Sequence, residues 1–227
     1  MTEEKEKLIE VDKVCFSYDG QIALRYVSFC IRKGECVALM GDNGCGKSTL
    51  LKLVNGLIFP EEGRFFFQGR EITEEALKDS RFSKWFHQKM GFVFQNSDVQ
   101  LFCGSVWEEI AFGPRQMGLS DEEVTERVED VIHLLNLEKL RDRAPYHLSG
   151  GEKRKTALAC ILSMNPEVLV LDEPLAGLDR RTREWLTDFL VELKEAGKTL
   201  LISTHDEEFA HRLADRLVIM SEEHEIL

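Results

Sequence analysis

The sequence has no long hydrophobic run. Its apolar stretches all fall short of the roughly 18 residues that a helix needs to cross a bilayer. The first residues, Met1 to Lys7, hold too many charges for a secretory signal peptide. We therefore expect a cytoplasmic protein, and any membrane association should depend on a protein partner.

Positive charge and paired cysteines are also scarce. The net charge is −12, and no block of Lys and Arg stands out. Because such residues supply most of the non-specific affinity for nucleic-acid phosphates, we expect no nucleic-acid partner. The six cysteines contain no CxxC pair, which is typical of reduced, mostly buried thiols and argues against a zinc site.

What the sequence does contain is a glycine-rich loop, Gly41 to Thr49. It matches the pattern G-x-x-x-x-G-K-[ST] between a predicted strand, Glu35 to Met40, and a predicted helix. The glycines let backbone N–H groups face phosphates, and the helix N-terminus adds partial positive charge. We expect Lys47 to reach the β- and γ-phosphates of a nucleotide and Ser48 to ligate Mg²⁺. The other residues expected to bind the nucleotide here are Gly41, Asn43, Gly44, Cys45, Gly46 and Thr49.

Cys45, inside this loop, has two interpretations. It can simply be a small residue that the loop tolerates. Alternatively, the helix N-terminus lowers the pKa of its thiol, which then reacts when the nucleotide site is empty.

An acidic pair follows a continuously apolar segment, Val168 to Leu171. Such a run predicts a parallel strand covered on both faces, and open α/β sheets bind ligands at the carboxyl ends of their strands. We expect Asp172 to complete the Mg²⁺ site and Glu173 to polarise the attacking water. The alternative is an acidic strand end that merely leads into a turn at Pro174.

Three further candidates lie near the ends of predicted strands. Gln95 follows the apolar segment Gly91 to Phe94, and its amide can both accept and donate, which suits a sensor of water and Mg²⁺. His205 follows the strand that ends at Thr204 and can donate to the γ-phosphate. Tyr18 can stack on the nucleotide base, or it can be a core aromatic residue of its strand.

Helical patterns dominate residues 97–165. Ser120 opens a predicted capping box at the start of one helix. A second helix should begin at the turn Ser149-Gly150-Gly151, a pattern that is common at helix N-termini and weak by itself. Strands and helices alternate again after this stretch. The sequence therefore predicts an α/β core, 1–96 and 166–227, with a helical insertion.

In order and spacing, these motifs resemble the nucleotide-binding domain of ABC transporters over nearly the whole chain. The resemblance implies a single domain, 1–227, with a P-loop NTPase (RecA-like) core, an antiparallel β subdomain and an inserted α-helical subdomain. Leu175 departs from the family, which often has Ser or Thr there. The matching residues are Tyr18 (A-loop), Gly41 to Thr49 (Walker A), Gln95 (Q-loop), Leu148 to Glu152 (signature motif), Val168 to Glu173 (Walker B), Leu178-Asp179 (D-loop) and His205 (switch histidine).

The resemblance also implies a shared ATP site. In the family, two domains sandwich two ATP molecules head to tail, so Ser149, Gly150, Gly151 and Asp179 of one chain would meet the nucleotide held by the other chain's Lys47. The second chain would be another copy or a paralogous ATPase. Closure on ATP with Mg²⁺ would drive integral membrane subunits, which hold the protein at the cytoplasmic face of the membrane. Because the chain stops soon after its last predicted strand, we expect a monomer until ATP binds.

Some stretches resemble the energy-coupling-factor importers for vitamins and transition metals. They are Phe94 to Phe102, Ala111 to Pro114 and Asp142 to Lys153. Glu152, where many relatives carry Gln, favours the cobalt/nickel (CbiO-like) type, with the metal ion handled by the membrane subunits.

Two alternatives stay open. One is an ABC ATPase of an amino-acid, lipid or cell-division complex; the other is a soluble ABC ATPase acting on DNA or ribosomes, which usually needs coiled coils, zinc modules or fused cassettes.

Overall fold

The computed structural model describes residues 6–227, so most of the charged start interpreted above, residues 1–5, lies outside the described residues. The described chain forms two β-sheets with helices packed around them. Within it, no helix is both long enough and apolar enough to cross a membrane.

The larger sheet is parallel and supplies the strand ends of the predicted site. Its strands are β3 (Cys36–Met40), β6 (Met90–Val93), β7 (Val168–Asp172), β8 (Thr199–Ser203) and β9 (Arg216–Ile219). They lie in the order β6-β7-β8-β3-β9. In β7, Val168 and Val170 join one hydrophobic core while Leu169 and Leu171 join the other. Burial on both faces explains the unbroken apolar run.

The smaller sheet is antiparallel. It contains β1 (Lys7–Tyr18), β2 (Gln21–Arg32), β4 (Glu62–Phe67) and β5 (Arg70–Glu71), in the order β2-β1-β4-β5. The mixed apolar and polar residues of Leu8 to Tyr18 and of Ala23 to Ile31 predict β1 and β2, whereas no pattern in the sequence predicted β4 or β5. Phe65 and Phe67 of β4 are buried, and both rings pack edge to face with Phe86.

The helices are α1 (Lys47–Val54), α2 (Glu74–Lys78), α3 (Ser80–Lys89), α4 (Val106–Gln116), α5 (Asp121–Leu134), α6 (Gly150–Leu162), α7 (Arg180–Glu195) and α8 (Glu207–Leu213). They follow the predicted order with three additions. The short α2 and α3, of which α3 contains Phe86, were not predicted, and α4 was predicted only as part of a helical stretch. The capping box at Ser120 is confirmed. The helices α4, α5 and α6 pack on one another between β6 and β7 in the chain.

Candidate functional site

A cavity of about 730 Å³ opens at the carboxyl edge of the parallel sheet. Ligands of open α/β sheets bind at this edge because several loops leave the strands there. The structure brings most of the predicted site residues into one lining. They are Tyr18, Asn43, Gly44, Gly46, Lys47, Ser48, Thr49, Gln95, Glu173 and His205.

The glycine-rich loop connects β3 to α1 and forms one wall of this cavity. Gly46 has φ +109°, and a Cβ there would lie 2.3 Å from the Ala23 carbonyl oxygen, so only glycine fits. In the described chain no side chain caps α1, which leaves its first N–H groups available to an anion. The buried Lys47 ammonium donates to the carbonyl oxygens of Gly41 (2.6 Å) and Asp42 (2.9 Å).

Gly41 and Cys45 of the same loop are outside the cavity lining. The Cys45 side chain belongs to the hydrophobic core under the loop and is only 3% exposed. A Cβ on Gly41 would lie 2.9 Å from the Cys45 sulfur. Because reactive thiols are at least partly exposed, this burial favours the interpretation of Cys45 as a small packing residue.

The acidic end of β7 is held by the neighbouring strand β8. Asp172 Oδ1 accepts from the Ser203 hydroxyl at 2.5 Å. The N–H of Glu173 donates to the Ser203 carbonyl (3.2 Å) and hydroxyl (2.9 Å). Glu173 has φ +44°, the left-handed region that a residue with a Cβ rarely adopts, and such strained residues cluster at functional sites. Its carboxylate lies 3.0 Å from Nδ1 of the exposed His205.

The predicted Mg²⁺ ligands offer an oxygen-only donor set. Ser48 and Gln95 line the cavity, and Asp172, which is buried beneath it, has one carboxylate oxygen engaged by Ser203. Mg²⁺ takes one or two protein oxygens together with phosphate oxygens and waters, so a hydroxyl, an amide and a carboxylate fit it. Within residues 6–227 no cluster of His, Cys, Asp and Glu could hold a metal ion by itself. The residues therefore suit a metal ion that arrives with a nucleotide.

Gln95 is tied to the helical part of the chain by Arg154. This side chain of α6 is 4% exposed and donates to the carbonyl oxygens of Phe94 and Gln95, both at 2.5 Å. Burial lowers the pKa of the guanidinium, and the carboxylate of Asp172 opposes that shift. Charge-assisted bonds to two consecutive carbonyls fix the backbone at Gln95 relative to α6.

The signature turn, Ser149 to Gly151, lies outside this cavity lining. Ser149 caps α6, and Glu152 closes a capping box: its carboxylate accepts from the Ser149 N–H at 2.7 Å and the hydroxyl at 2.8 Å. The N–H, and then the hydroxyl, lower the pKa of Glu152. A Cβ on Gly151 would lie 3.1 Å from the Thr182 hydroxyl, which in turn donates to Asp179.

The lining also corrects the sequence interpretation of single residues. Tyr18 is 43% exposed and lines the cavity, so its interpretation as a core residue is wrong. Sequence reasoning missed Ser203, Arg154 and His224, although His224 lines the same cavity. A polar residue at the end of β8 is a signal that could have found Ser203. The other two have no local signal, because their partners are distant in sequence.

Comparison with known proteins gives the family. A family model described as ABC transporter matches residues 24–176. The nickel import ATP-binding protein LarO of Lactiplantibacillus plantarum is 42% identical over 219 residues, which cover 96% of this chain and 91% of that protein. The structure of cbiO1 from Clostridium perfringens, described as part of the ABC transporter complex cbiONQ, is 34% identical with a TM-score of 0.86 and covers 98% of this chain and 88% of its own.

A second solved structure is similar over the same length. The ATP-binding cassette MJ0796, in a dimeric post-hydrolysis state with ADP and Pi, is 29% identical with a TM-score of 0.85 and covers 96% of both chains. The predicted fold, a P-loop α/β core with an antiparallel β sheet and inserted helices, is confirmed. The chain therefore belongs to the ABC transporter family, as an ATP-binding protein that couples ATP hydrolysis to transport.

Proposed function

We propose that this chain is the ATPase subunit of an energy-coupling-factor importer for nickel or cobalt ions, with a vitamin as the alternative cargo. It works as a head-to-tail pair with a second copy or a paralogous ATPase, bound to membrane subunits at the cytoplasmic face of the membrane. One observation carries the shared site: in the described chain, the signature turn is absent from the cavity lining to which Lys47 and Glu173 belong.

Within one chain, the cavity residues divide the work on ATP. The loop N–H groups and Lys47 bind the phosphates, and Tyr18 stacks on the base. Glu173 polarises the attacking water. Since Nδ1 of His205 lies against Glu173, its Nε2 is left for the γ-phosphate. Ser48, Gln95 and Asp172 would hold Mg²⁺, which supplies positive charge at the β- and γ-phosphate oxygens.

The signature turn supplies the other half of each ATP site. Ser149 and Gly150 are exposed at the N-terminus of α6, and nothing lies within 4 Å of a Cβ placed on Gly150. An exposed helix N-terminus with glycines binds anions through its N–H groups. The γ-phosphate held by the partner chain is such an anion. Asp179, which caps α7 beside Thr182, lies next to this turn and would meet the same nucleotide.

A groove next to Gln95 fits a membrane subunit. Its volume is about 460 Å³, and it lies between α3, α4, α6 and the end of β6. Phe102 (68% exposed) and Phe112 (43% exposed) form an edge-to-face pair on its wall, and Phe94 lines it one residue before Gln95. Exposed aromatic residues in a groove indicate a protein-binding surface. The occupant we propose is an apolar cytoplasmic segment of the membrane subunit, whose movement would reach Gln95 through Phe94.

The cargo is proposed from two lines of support. The relatives include a protein named for nickel import and one described as part of cbiONQ. The chain also shares the energy-coupling-factor stretches around Gln95 and before Ser149.

The helical unit that contains the signature turn is proposed to span 97–165, between core segments 1–96 and 166–227.

Mixing two inactive variants tests the shared site. Lys47→Ala and Ser149→Arg should each abolish ATP hydrolysis. In their heterodimer, one site combines both defects and the other is wholly intact. We expect ATPase activity to return when the variants are mixed, measured as phosphate release at fixed total protein. If heterodimers form in native mass spectrometry and activity stays absent, the shared site is contradicted.

Transport assays test the cargo and the groove separately. The chain is co-expressed with the membrane genes adjacent to its own gene, and uptake of ⁶³Ni²⁺, ⁵⁷Co²⁺, labelled vitamins and labelled amino acids is measured. Nickel or cobalt uptake that Glu173→Gln abolishes is the expected result, whereas uptake of only an amino acid would identify another membrane system. Phe102→Glu should reduce co-purification of the membrane subunits, with Tyr26→Glu, an exposed aromatic residue of β2 in the other sheet, as the control.

A further inference from the structure

His224 is held at the tip of a hairpin that follows β9. The hairpin is closed by a bridge between Met220 and Ile226 and by the His224 N–H, which donates to the Ser221 carbonyl at 3.1 Å. His224 itself has φ +67°, in the left-handed region that favours glycine or asparagine. Backbone strain of this kind persists only where the surroundings impose it, and it is concentrated at functional sites.

Two contacts hold His224 in place, one through its backbone and one through its imidazole ring. Its backbone carbonyl accepts from the Arg25 N–H at 2.9 Å, which joins the hairpin to β2. Its Nδ1 lies 3.1 Å from the carbonyl oxygen of Cys45, in the glycine-rich loop. A carbonyl can only accept, so Nδ1 must carry the proton of this bond. In the neutral ring, Nε2 is then a hydrogen-bond acceptor.

The position of His224 places this ring in the nucleotide cavity. It lines the cavity together with Gln21, Ile22 and Ala23 of β2 and the loop residues around Gly46. None of the roles proposed for the other cavity residues in ATP binding and hydrolysis belongs to His224. When a bound ligand excludes water from the cavity, an oriented acceptor needs a donor from that ligand, because a buried polar group without a partner is costly.

ATP offers such donors in only one of its halves. The triphosphate oxygens are ionised at neutral pH and accept hydrogen bonds, so they do not match an acceptor at Nε2. The ribose hydroxyls and the exocyclic amine of adenine donate. We propose that His224 binds the nucleoside half of ATP by accepting a hydrogen bond at Nε2 from a ribose hydroxyl or from the adenine amine. This inference goes beyond the proposed function and needs neither the importer nor the shared site.

Binding measurements with matched ligands test it. His224→Gly removes the imidazole and tolerates φ +67°, and His224→Asn is a second variant that accepts the same backbone. Affinities for ATP, GTP, 2′-deoxy-ATP and 3′-deoxy-ATP, and competition by inorganic tripolyphosphate, are measured by calorimetry and displacement at pH 8. Glu223→Ala, in the same hairpin and exposed, is the control.

The expected result is a loss of about fivefold to tenfold in ATP affinity for His224→Gly, since one hydrogen bond contributes modestly, with unchanged competition by tripolyphosphate. If the donor is the adenine amine, GTP binding will not respond to the substitution. If it is a ribose hydroxyl, the matching deoxy-ATP will not respond. Unchanged ATP affinity in both variants would overturn the proposal. So would an equal loss for ATP and tripolyphosphate, because His224 would then act only by supporting the loop through Cys45.

Discussion

The cavity beside the glycine-rich loop and the signature turn are built in opposite ways. Lys47, Asp172 and Glu173 are buried, and their positions are fixed by loop carbonyls and by Ser203. The signature turn is exposed at Ser149 and is held by its own capping box with Glu152. One region is thus a preorganised site within the chain, whereas the other presents an exposed helix N-terminus, a structure that is able to bind anions. The difference supports our proposal that a second chain completes the site.

The largest effect on ATP hydrolysis is expected from a substitution of Glu173 in the cavity. Glu173→Gln removes the carboxylate that we assign to the attacking water while keeping the size of the side chain. We expect ATP hydrolysis to fall about 10²- to 10³-fold, as for loss of a general base, with ATP affinity changed by no more than a few-fold. Phosphate release and calorimetry measure the two quantities. Unchanged turnover would remove Glu173 from that role, and Glu184→Gln on the surface of α7 is the control.

The signature turn can be tested against a matched capping box. Ser149 caps α6 with Glu152, and Ser120 caps α5 with Glu123 in the same geometry. Ser149→Ala and Ser120→Ala should each lower the free energy of unfolding by about 1 kcal/mol. Only Ser149→Ala should reduce the ATPase rate, by about tenfold to a hundredfold, because we propose that in the closed pair the Ser149 hydroxyl turns from Glu152 and donates to the partner's γ-phosphate. Equal rates for the two variants would make Ser149 a helix cap and nothing more.

These two regions also differ in how far sequence alone could predict them. The glycine-rich loop follows from its motif, and Asp172 and Glu173 follow from the continuously apolar strand that ends at them. The turn at Ser149 follows from a local cap as well. No local pattern shows that this turn lies apart from Lys47 in the folded chain. Only the family resemblance suggested that.

The missed residues have partners far along the chain. Arg154 contacts a carbonyl 59 residues away, and His224 contacts one 179 residues away. Neither residue type is unusual in its own segment, so no pattern marks it. The strands β4 and β5 were missed for a related reason, because β4 is defined by pairing with β1 and β5 by pairing with β4. Such pairings are set by tertiary packing rather than by propensity.

Arg154 connects the two regions, and a smaller effect is expected there. Arg154→Lys keeps the charge but cannot span the carbonyls of Phe94 and Gln95 with one planar fork. We expect kcat to fall about threefold to tenfold while the KM for ATP stays within twofold, because Gln95 would lose its fixed relation to α6. Arg127→Lys, which loses a similar bond to the Ser163 carbonyl, is the control. A change in KM alone would indicate a local packing role for Arg154.

The smallest effect is expected for a substitution of Glu152. It tests whether the Glu152 carboxylate only caps α6 or also takes part in ATP hydrolysis. Glu152→Gln keeps an oxygen that can accept from Ser149, so ATPase activity should stay within twofold. The charge-assisted part of the cap is lost, and the melting temperature at pH 7 should fall by about 1–2 °C.

Since bonds from Ser149 lower the pKa of Glu152 below its ordinary value of 4.5, this stabilisation is complete above pH 4.5 and disappears as the pH falls through the lowered pKa. The melting temperatures of the native chain and Glu152→Gln should therefore converge once the pH has fallen below the lowered pKa, and those of the native chain and Glu123→Gln should do the same. A large change in ATPase rate for Glu152→Gln alone would instead place its carboxylate in the shared site, and the contrast between a preorganised cavity and a merely capped helix end would fail.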